Sequence, residues 1–109
     1  MNKQLTFTFE GREYCLEYTR KSVEQMEKNG FVASDIQDKP MTTLPALFAG
    51  AFLANHRYAK REIIDAIYDK MTNKGELIAK LAEMYNEPIT ALLDEPEENE
   101  GNLNWTTSW

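Results

Sequence analysis

The sequence predicts an α+β fold that is mostly helical, with an N-terminal β-hairpin, about four helices and a flexible acidic C-terminal tail. Three observations predict it: a two-residue alternation at the start of the chain, helical periods through most of the remainder, and eleven residues, 44–54, without a charged or polar side chain. A bilayer span needs about 20 apolar residues. We therefore expect this stretch to be a buried helix around which the chain is organised.

The first 18 residues alternate between apolar and polar side chains in two short runs. Such alternation is typical of half-buried strands. Glu10 and Gly11 lie between the runs, and glycine supplies the positive φ that a tight turn requires. The sequence predicts a hairpin over residues 3–18 whose aromatic face packs on the helices, because an isolated hairpin is only marginally stable. The apolar positions are Leu5, Phe7, Phe9, Tyr14, Leu16 and Tyr18.

Thr19 is a suitable N-cap for a first helix that ends near Lys28, where Asn29 and Gly30 form a stop signal. The connector that follows, residues 31–42, has no regular period. Four apolar residues in it are expected to lie against the core rather than in solvent. They are Phe31, Val32, Ile36 and Met41.

Thr42 or Thr43 is the expected cap of the central helix, and Pro45 is tolerated in its first turn. On a helical wheel the large side chains share one broad face. They are Leu44, Leu47, Phe48, Ala51 and Phe52. A stripe of small residues, Ala46, Gly50 and Ala54, lies beside that face, and Leu53 falls on the far side.

The small-residue stripe has two interpretations. Glycine at position 50 costs about 1 kcal/mol relative to alanine within a helix, which is understandable if a neighbouring backbone comes close there. Packing of a helix of the same chain explains most such stripes, and a surface for a second subunit or a client protein is the alternative. On the second interpretation, Gly50→Leu disrupts assembly and leaves a helical monomer.

Two further amphipathic helices are predicted. The first begins near Ala59, places Arg61 four residues before Asp65 on its wet face, and ends at residues 72–75. The second carries an apolar stripe over residues 77–93, which Pro88 should kink or interrupt. The short turn between these helices predicts that they are antiparallel neighbours.

Residues 1–94 are predicted to form a single α+β domain, and residues 95–109 an acidic linker and a tail that contains both tryptophans. Leu103, Trp105 and Trp109 share one face of a two-residue period. Two interpretations account for that face. The tail folds back as a third strand on the hairpin, or it is captured by another protein.

Charge and composition exclude several classes of function. Net charge is −6, and five acidic residues close to the C-terminus account for most of it. Without these five, the chain has 13 acidic and 12 basic residues. A nearly neutral body argues against nucleic-acid binding. A helix–turn–helix motif over residues 60–93 is also a weak interpretation, because the exposed side of its second helix carries only one basic residue, Lys80. The N-terminus lacks a signal peptide, so we expect a cytoplasmic protein without membrane contact. The five acids are Asp94, Glu95, Glu97, Glu98 and Glu100.

No catalytic, metal-binding or cofactor-binding site is expected. His56 is the only histidine, and at a helix C-terminus it is expected to be an exposed or capping residue whose positive charge the helix dipole favours. Cys15, the only cysteine, is expected to be an inert thiol opposite the aromatic face, in a reducing compartment. One histidine and one cysteine cannot form a zinc site, and the sequence has no glycine-rich phosphate loop.

Several segments resemble small tail assembly chaperone-like proteins of long-tailed phages and prophages of Gram-positive bacteria. These segments are FEGREYCLEYTRKSVEQMEKNGF, DKPMTTLPALFAGAFLANHR, IIDAIYDKM, LIAKLAEMYNEPITALLDE and EGNLNW. The resemblance spans nearly the whole chain, and Pro88 departs from the uninterrupted helix expected there. The resemblance implies a non-catalytic factor that coats the tape-measure protein, helps recruit tail-tube subunits and is absent from the finished virion.

The sequence thus predicts a protein–protein interaction surface rather than an active site. The expected partners are the tape-measure and tail-tube proteins and further copies of the chain. A small regulatory protein-binding module, transcriptional or antitoxin-like, is the alternative. The predicted contact residues are Ala46, Gly50, Leu53, Ala54, Leu103, Trp105 and Trp109.

Overall fold

The structure, a computed structural model, describes residues 3–94 and 103–109 and has the predicted α+β architecture. Within these ranges an antiparallel hairpin is followed by four α-helices and one short 3₁₀ helix. In chain order the elements are β1 (Leu5–Phe9), β2 (Arg12–Leu16), α1 (Arg20–Lys28), the 3₁₀ helix (Ala33–Ile36), α2 (Pro40–Gly50), α3 (Arg61–Lys70) and α4 (Lys74–Ala91). Most of the predicted acidic linker, residues 95–102, lies outside the described residues.

The hairpin forms where the alternation predicts it. Phe9 pairs with Arg12 across the turn, and the ladder continues to the pair of Leu5 with Leu16. Glu10 (φ 50°) and Gly11 (φ 79°) both adopt left-handed backbone conformations. Two-residue turns of this kind have a twist that matches the twist of the flanking strands, so the turn fixes the register of the hairpin.

α1 begins with the predicted cap. The Ser22 N–H donates to Thr19 Oγ1 at 3.1 Å, and the Thr19 N–H donates to Ser22 Oγ at 2.8 Å. This reciprocal pair satisfies two backbone donors that a helix start leaves free. The helix ends at Lys28, and Gly30 takes a positive φ of 95° just beyond it.

α2 is the central element of the fold. It packs against α1, α3, α4 and the 3₁₀ helix, and most of its predicted large-residue face is buried. Phe52, which lies just after the end of α2, continues that face and contacts the hairpin. The centroid of its ring is 6.5 Å from that of Phe7 and 5.8 Å from that of Tyr14. The side chains of this face that are at most 1% exposed are Leu47, Phe48, Ala51 and Phe52.

The limits of α2 differ from the prediction by about one turn at each end. The helix begins at Pro40, the first helical position, where the missing N–H of proline has no intrahelical partner to lose. Thr43 is therefore a buried residue inside the helix and not its cap. After Gly50 the chain continues to residue 55 in tight turns, in which the Leu53 N–H bonds the Gly50 carbonyl.

The connector is only partly packed against the core. Phe31 and Ile36 contact the core cluster as predicted. Val32 is 49% exposed and Met41 89% exposed, so the expectation is wrong for these two. Met41 faces solvent because the early start of α2 places it in the first turn of that helix.

The last two helices differ from the prediction in three ways. α3 starts at Arg61 rather than near Ala59. α4 runs through Pro88 without a break to Ala91, because a proline in the last turn removes only one intrahelical bond. α3 and α4 each pack on α2, with little direct contact between them, so the expectation that they are direct antiparallel neighbours is wrong.

Residues 103–109 form neither helix nor strand. Leu103, Trp105 and Trp109 are 94%, 82% and 100% exposed. Within the described residues the sheet contains only β1 and β2, so the tail does not lie on its own hairpin as a third strand. None of the helices in that part of the chain has the length and apolar character that a membrane span requires.

Candidate interaction surface

An open groove of about 430 Å³ runs along α2, beside the connection that leads from α1. We call it the α2 groove. Its floor consists of small and apolar side chains from one side of α2 and from the turn that follows. Its wall comes from the connector, and its rim carries one acidic and two basic residues. The floor is Ala46, Ala49, Gly50 and Leu53, the wall includes Phe31 and Val32, and the rim includes Asp35, Lys39 and Arg61.

At Gly50 the small-residue stripe receives a side chain of the same chain. Gly50 is buried, and the thioether of Met26 on α1 occupies the space in which a Cβ at position 50 would lie. Glycine thus leaves room for the Met26 thioether, through which α1 packs closely on α2 there. The within-chain interpretation of the stripe applies to this residue.

The other contact residues predicted around the end of α2 are partly accessible. Ala46 and Leu53 are half-buried in the α2 groove, together with Ala49, which sequence reasoning did not single out. Ala54 lies in a neighbouring depression of about 480 Å³ that shares Leu53 and borders on Arg57. The structure thus places these residues on one continuous surface around the end of α2.

The predicted tail residues do not join this surface. Leu103, Trp105 and Trp109 are exposed and line neither the α2 groove nor the depression beside it. The predicted contact residues therefore form two separate groups in a single chain, one around the end of α2 and one in the tail.

A hydrogen-bond cluster that sequence reasoning missed joins the hairpin to the end of α2. Glu17 is buried, and its Oε2 accepts from Asn55 Nδ2 at 2.7 Å and from Gln4 Nε2 at 3.1 Å. Asn55 Nδ2 also donates to the Cys15 carbonyl at 3.1 Å, and the Glu17 N–H bonds the Ala51 carbonyl. The partners are distant in sequence, and no local pattern marks them.

His56 belongs to the same cluster and does not have the charge expected of it. Its Nε2 accepts a hydrogen bond from the Cys15 N–H at 3.0 Å, which requires that this nitrogen be unprotonated. Burial of the ring lowers the pKa of His56, and the nearby Arg12 guanidinium lowers it further. α2 ends at Gly50, well before His56, so the helix dipole does not favour a positive charge on the ring as expected, and His56 is a neutral structural residue.

The His56 contact predicts a loss of stability in mild acid. The folded-state pKa lies below the unfolded value of 6.5, so between the two the unfolded chain binds more protons and stability rises with pH. We expect Tm to be constant above about pH 7 and to fall as the pH decreases below 6.5. Calorimetric scans across this range measure the effect.

His56→Gln is the matched control for that prediction, because an amide oxygen accepts from the Cys15 N–H without titrating. The variant should lose the part of the pH dependence that lies below neutrality. Equal slopes of Tm against pH in the wild type and in the variant would show that the His56 ring does not carry the effect.

In the part of the chain that the structure describes, the remaining titratable groups form no catalytic arrangement. Burial and the Glu17 carboxylate raise the pKa of the Cys15 thiol, which keeps it protonated and poorly nucleophilic. No group of three or more potential metal ligands occurs in residues 3–94 and 103–109. The predicted pair of Arg61 and Asp65 is present at 3.1 Å, but both side chains are half exposed, so it adds little stability.

Comparisons with known proteins give one family. A family model described as "Domain of unknown function (DUF5055)" matches residues 1–109. No curated protein and no solved structure matches the chain.

Proposed function

The chain belongs to the DUF5055 family, and we propose that it is a non-catalytic tail assembly chaperone of a long-tailed phage or prophage. In this role it binds the tape-measure protein in the host cytoplasm, helps recruit tail-tube subunits and leaves before the virion is complete. The observation that carries the proposal is the α2 groove, an open and mostly apolar surface along the central helix. The sequence resemblance over nearly the whole chain supports it.

The α2 groove has the composition that a client helix requires. Ala46 and Ala49 on its floor are small enough for another backbone to approach closely. Leu53 and the 49%-exposed Val32 supply apolar contacts at the sides. An amphipathic helix can place its apolar stripe in such a groove, with anchor residues spaced three and four apart.

Solubility of the client tests the proposed function. The chain and the tape-measure protein of the same phage or prophage are expressed together, and the soluble fraction of the tape-measure protein is compared with that obtained without the chain. The proposal expects a soluble complex that co-purifies. A tape-measure protein that aggregates equally with and without the chain would contradict the proposed function.

Ala46→Glu tests the location of the site. A carboxylate on the apolar floor of the α2 groove would be desolvated by a bound helix, so we expect client binding at least about tenfold weaker. Tm should change little, because Ala46 is half-buried and can direct a longer side chain into the groove. Affinity is measured by titration of an immobilised client segment.

Ala66→Glu is the matched control for this substitution. Ala66 is an exposed position of α3, so the same change in charge and helix propensity occurs away from the α2 groove. If both variants bind the client like the wild type while the wild type keeps it soluble, the chaperone function stands and the site lies elsewhere.

A further inference from the structure

The outer edge of β2 is closed by the turn that follows α2. The Cys15 N–H donates to His56 Nε2, and the Cys15 carbonyl accepts from Asn55 Nδ2. The Glu17 N–H, one residue beyond the strand, donates to the Ala51 carbonyl at 3.1 Å. This side of the hairpin therefore cannot receive another strand along these residues.

The outer edge of β1 is open. Phe9 and Arg12 close a two-residue turn, so in the alternating antiparallel pattern the backbone groups of Thr6 and Thr8 point away from β2. Over residues 3–94 and 103–109 no hydrogen bond occupies these outward N–H and carbonyl groups. Both threonines are exposed, so the β1 edge presents two unpaired donors and two unpaired acceptors.

The β1 edge also lacks the usual protection against strand pairing. Natural edges carry charged side chains, proline or a bulge, whereas Leu5–Phe9 reads LTFTF and pairs regularly with β2. On the core-facing side Leu5, Phe7 and Phe9 are only half-buried. An edge with free backbone groups and incompletely covered apolar side chains is suited to a further strand.

The tail, residues 103–109, matches this edge in pattern. It has no charged side chain, and its large apolar residues fall on one face of a two-residue period, as those of β1 do, with Thr107 between the two tryptophans on that face. If Leu103, Trp105 and Trp109 lie on the side of Leu5, Phe7 and Phe9, they extend the apolar face. Polar residues of the tail then lie beside Thr6 and Thr8, a favourable cross-strand arrangement.

We propose that the tail of one copy of this chain adds to the β1 edge of a second copy as a third strand. A single chain exposes both halves of this complementary pair, the tail and the edge, without joining them. Reciprocal exchange between two copies satisfies both and closes a two-fold symmetric dimer. This self-association uses the hairpin and not the α2 groove, so it is independent of the proposed function.

Tryptophan fluorescence and light scattering of the full chain test the proposal together. Both tryptophans of the chain lie in the tail, so the emission reports on the tail alone. At high concentration we expect a dimer with blue-shifted emission. On about a hundredfold dilution the mass should fall to that of a monomer while the emission shifts to the red with the same midpoint.

Thr8→Pro blocks the edge with little change to the hairpin. The Thr8 N–H points outward, so its removal costs no bond to β2, and proline is tolerated at such edge positions. We expect the dimer dissociation constant to rise about tenfold or more. Thr8→Ala is the matched control, because it removes the same side chain but keeps the N–H, and it should dimerise like the wild type.

Hydrogen exchange keeps the test decisive if Thr8→Pro proves unfolded by circular dichroism. The amides of Thr6 and Thr8 in the wild type should exchange slowly at high concentration and rapidly after dilution. Rapid exchange at both concentrations overturns the proposal. So does a monomer at all concentrations, whether its tryptophans are exposed or are buried on their own hairpin, and so does a dimer that survives removal of residues 103–109.

Discussion

Phe52→Ala should lower the free energy of unfolding by about 3–5 kcal/mol, the range typical of buried phenylalanine truncations. Phe52 is 1% exposed and packs against the rings of Phe7, Tyr14 and Phe48 at centroid distances of 5.3–6.5 Å. Two of these rings belong to the hairpin and one to α2. The cavity left by the truncation would therefore lie where the hairpin meets the helices, and the hairpin should lose its anchor.

Denaturant unfolding followed by circular dichroism measures this effect. Tyr58→Ala is the control, because Tyr58 is 90% exposed and its truncation should change stability by less than about 0.5 kcal/mol. Comparable losses in the two variants would mean that Phe52 is not packed between the hairpin and α2. Selective loss of amide protection in β1 and β2 would further show that the hairpin detaches first.

Local patterns accounted for much of the fold because the elements concerned are determined by neighbours in sequence. The hairpin follows from a two-residue period and a turn glycine, and the start of α1 from the cap residue Thr19. The start of α2 was misplaced because Pro40 and Pro45 both fit a first turn. The choice depends on tertiary packing, which buries Thr43 in the core.

The relation between α3 and α4 was not accessible from their own sequences. A short connection implies direct packing only if the two apolar stripes face each other. Here both stripes face α2, which α3 reaches through the contact of Tyr68 with Phe48, at 5.1 Å between ring centroids. A periodic stripe shows which side of a helix is covered but not which element covers it.

The same limit applies to the candidate site. The stripe of Ala46, Gly50 and Ala54 was visible in the sequence. Which of these residues is buried under α1, as Gly50 is, and which stays accessible, as Ala46 does, depends on where α1 lies. Met26 lies on α1, and nothing in the local sequence assigns its side chain to Gly50. The bonds of Glu17 to Asn55 and of Cys15 to His56 likewise join residues that only the fold brings together.

Gly50→Leu should destabilise the fold by about 1–3 kcal/mol, the usual cost of overpacking, rather than leave a stable monomer with an altered surface. A side chain at position 50 enters the space of the Met26 thioether. The γ and δ carbons of leucine extend further toward α1, so α1 has to move away from α2. Thermal unfolding of the purified variant measures the change.

Gly50→Ala separates this clash from the effect of helix propensity. The thioether that a single methyl group meets is the flexible end of the Met26 side chain and can rotate away. Alanine also favours the helix by up to about 1 kcal/mol over glycine, so the two effects should nearly cancel. Gly50→Leu in a Met26→Ala background should then regain part of the lost stability, since the truncated side chain leaves room for leucine. If Gly50→Leu is as stable as the wild type, α1 does not pack on Gly50 and the stripe is free for a partner.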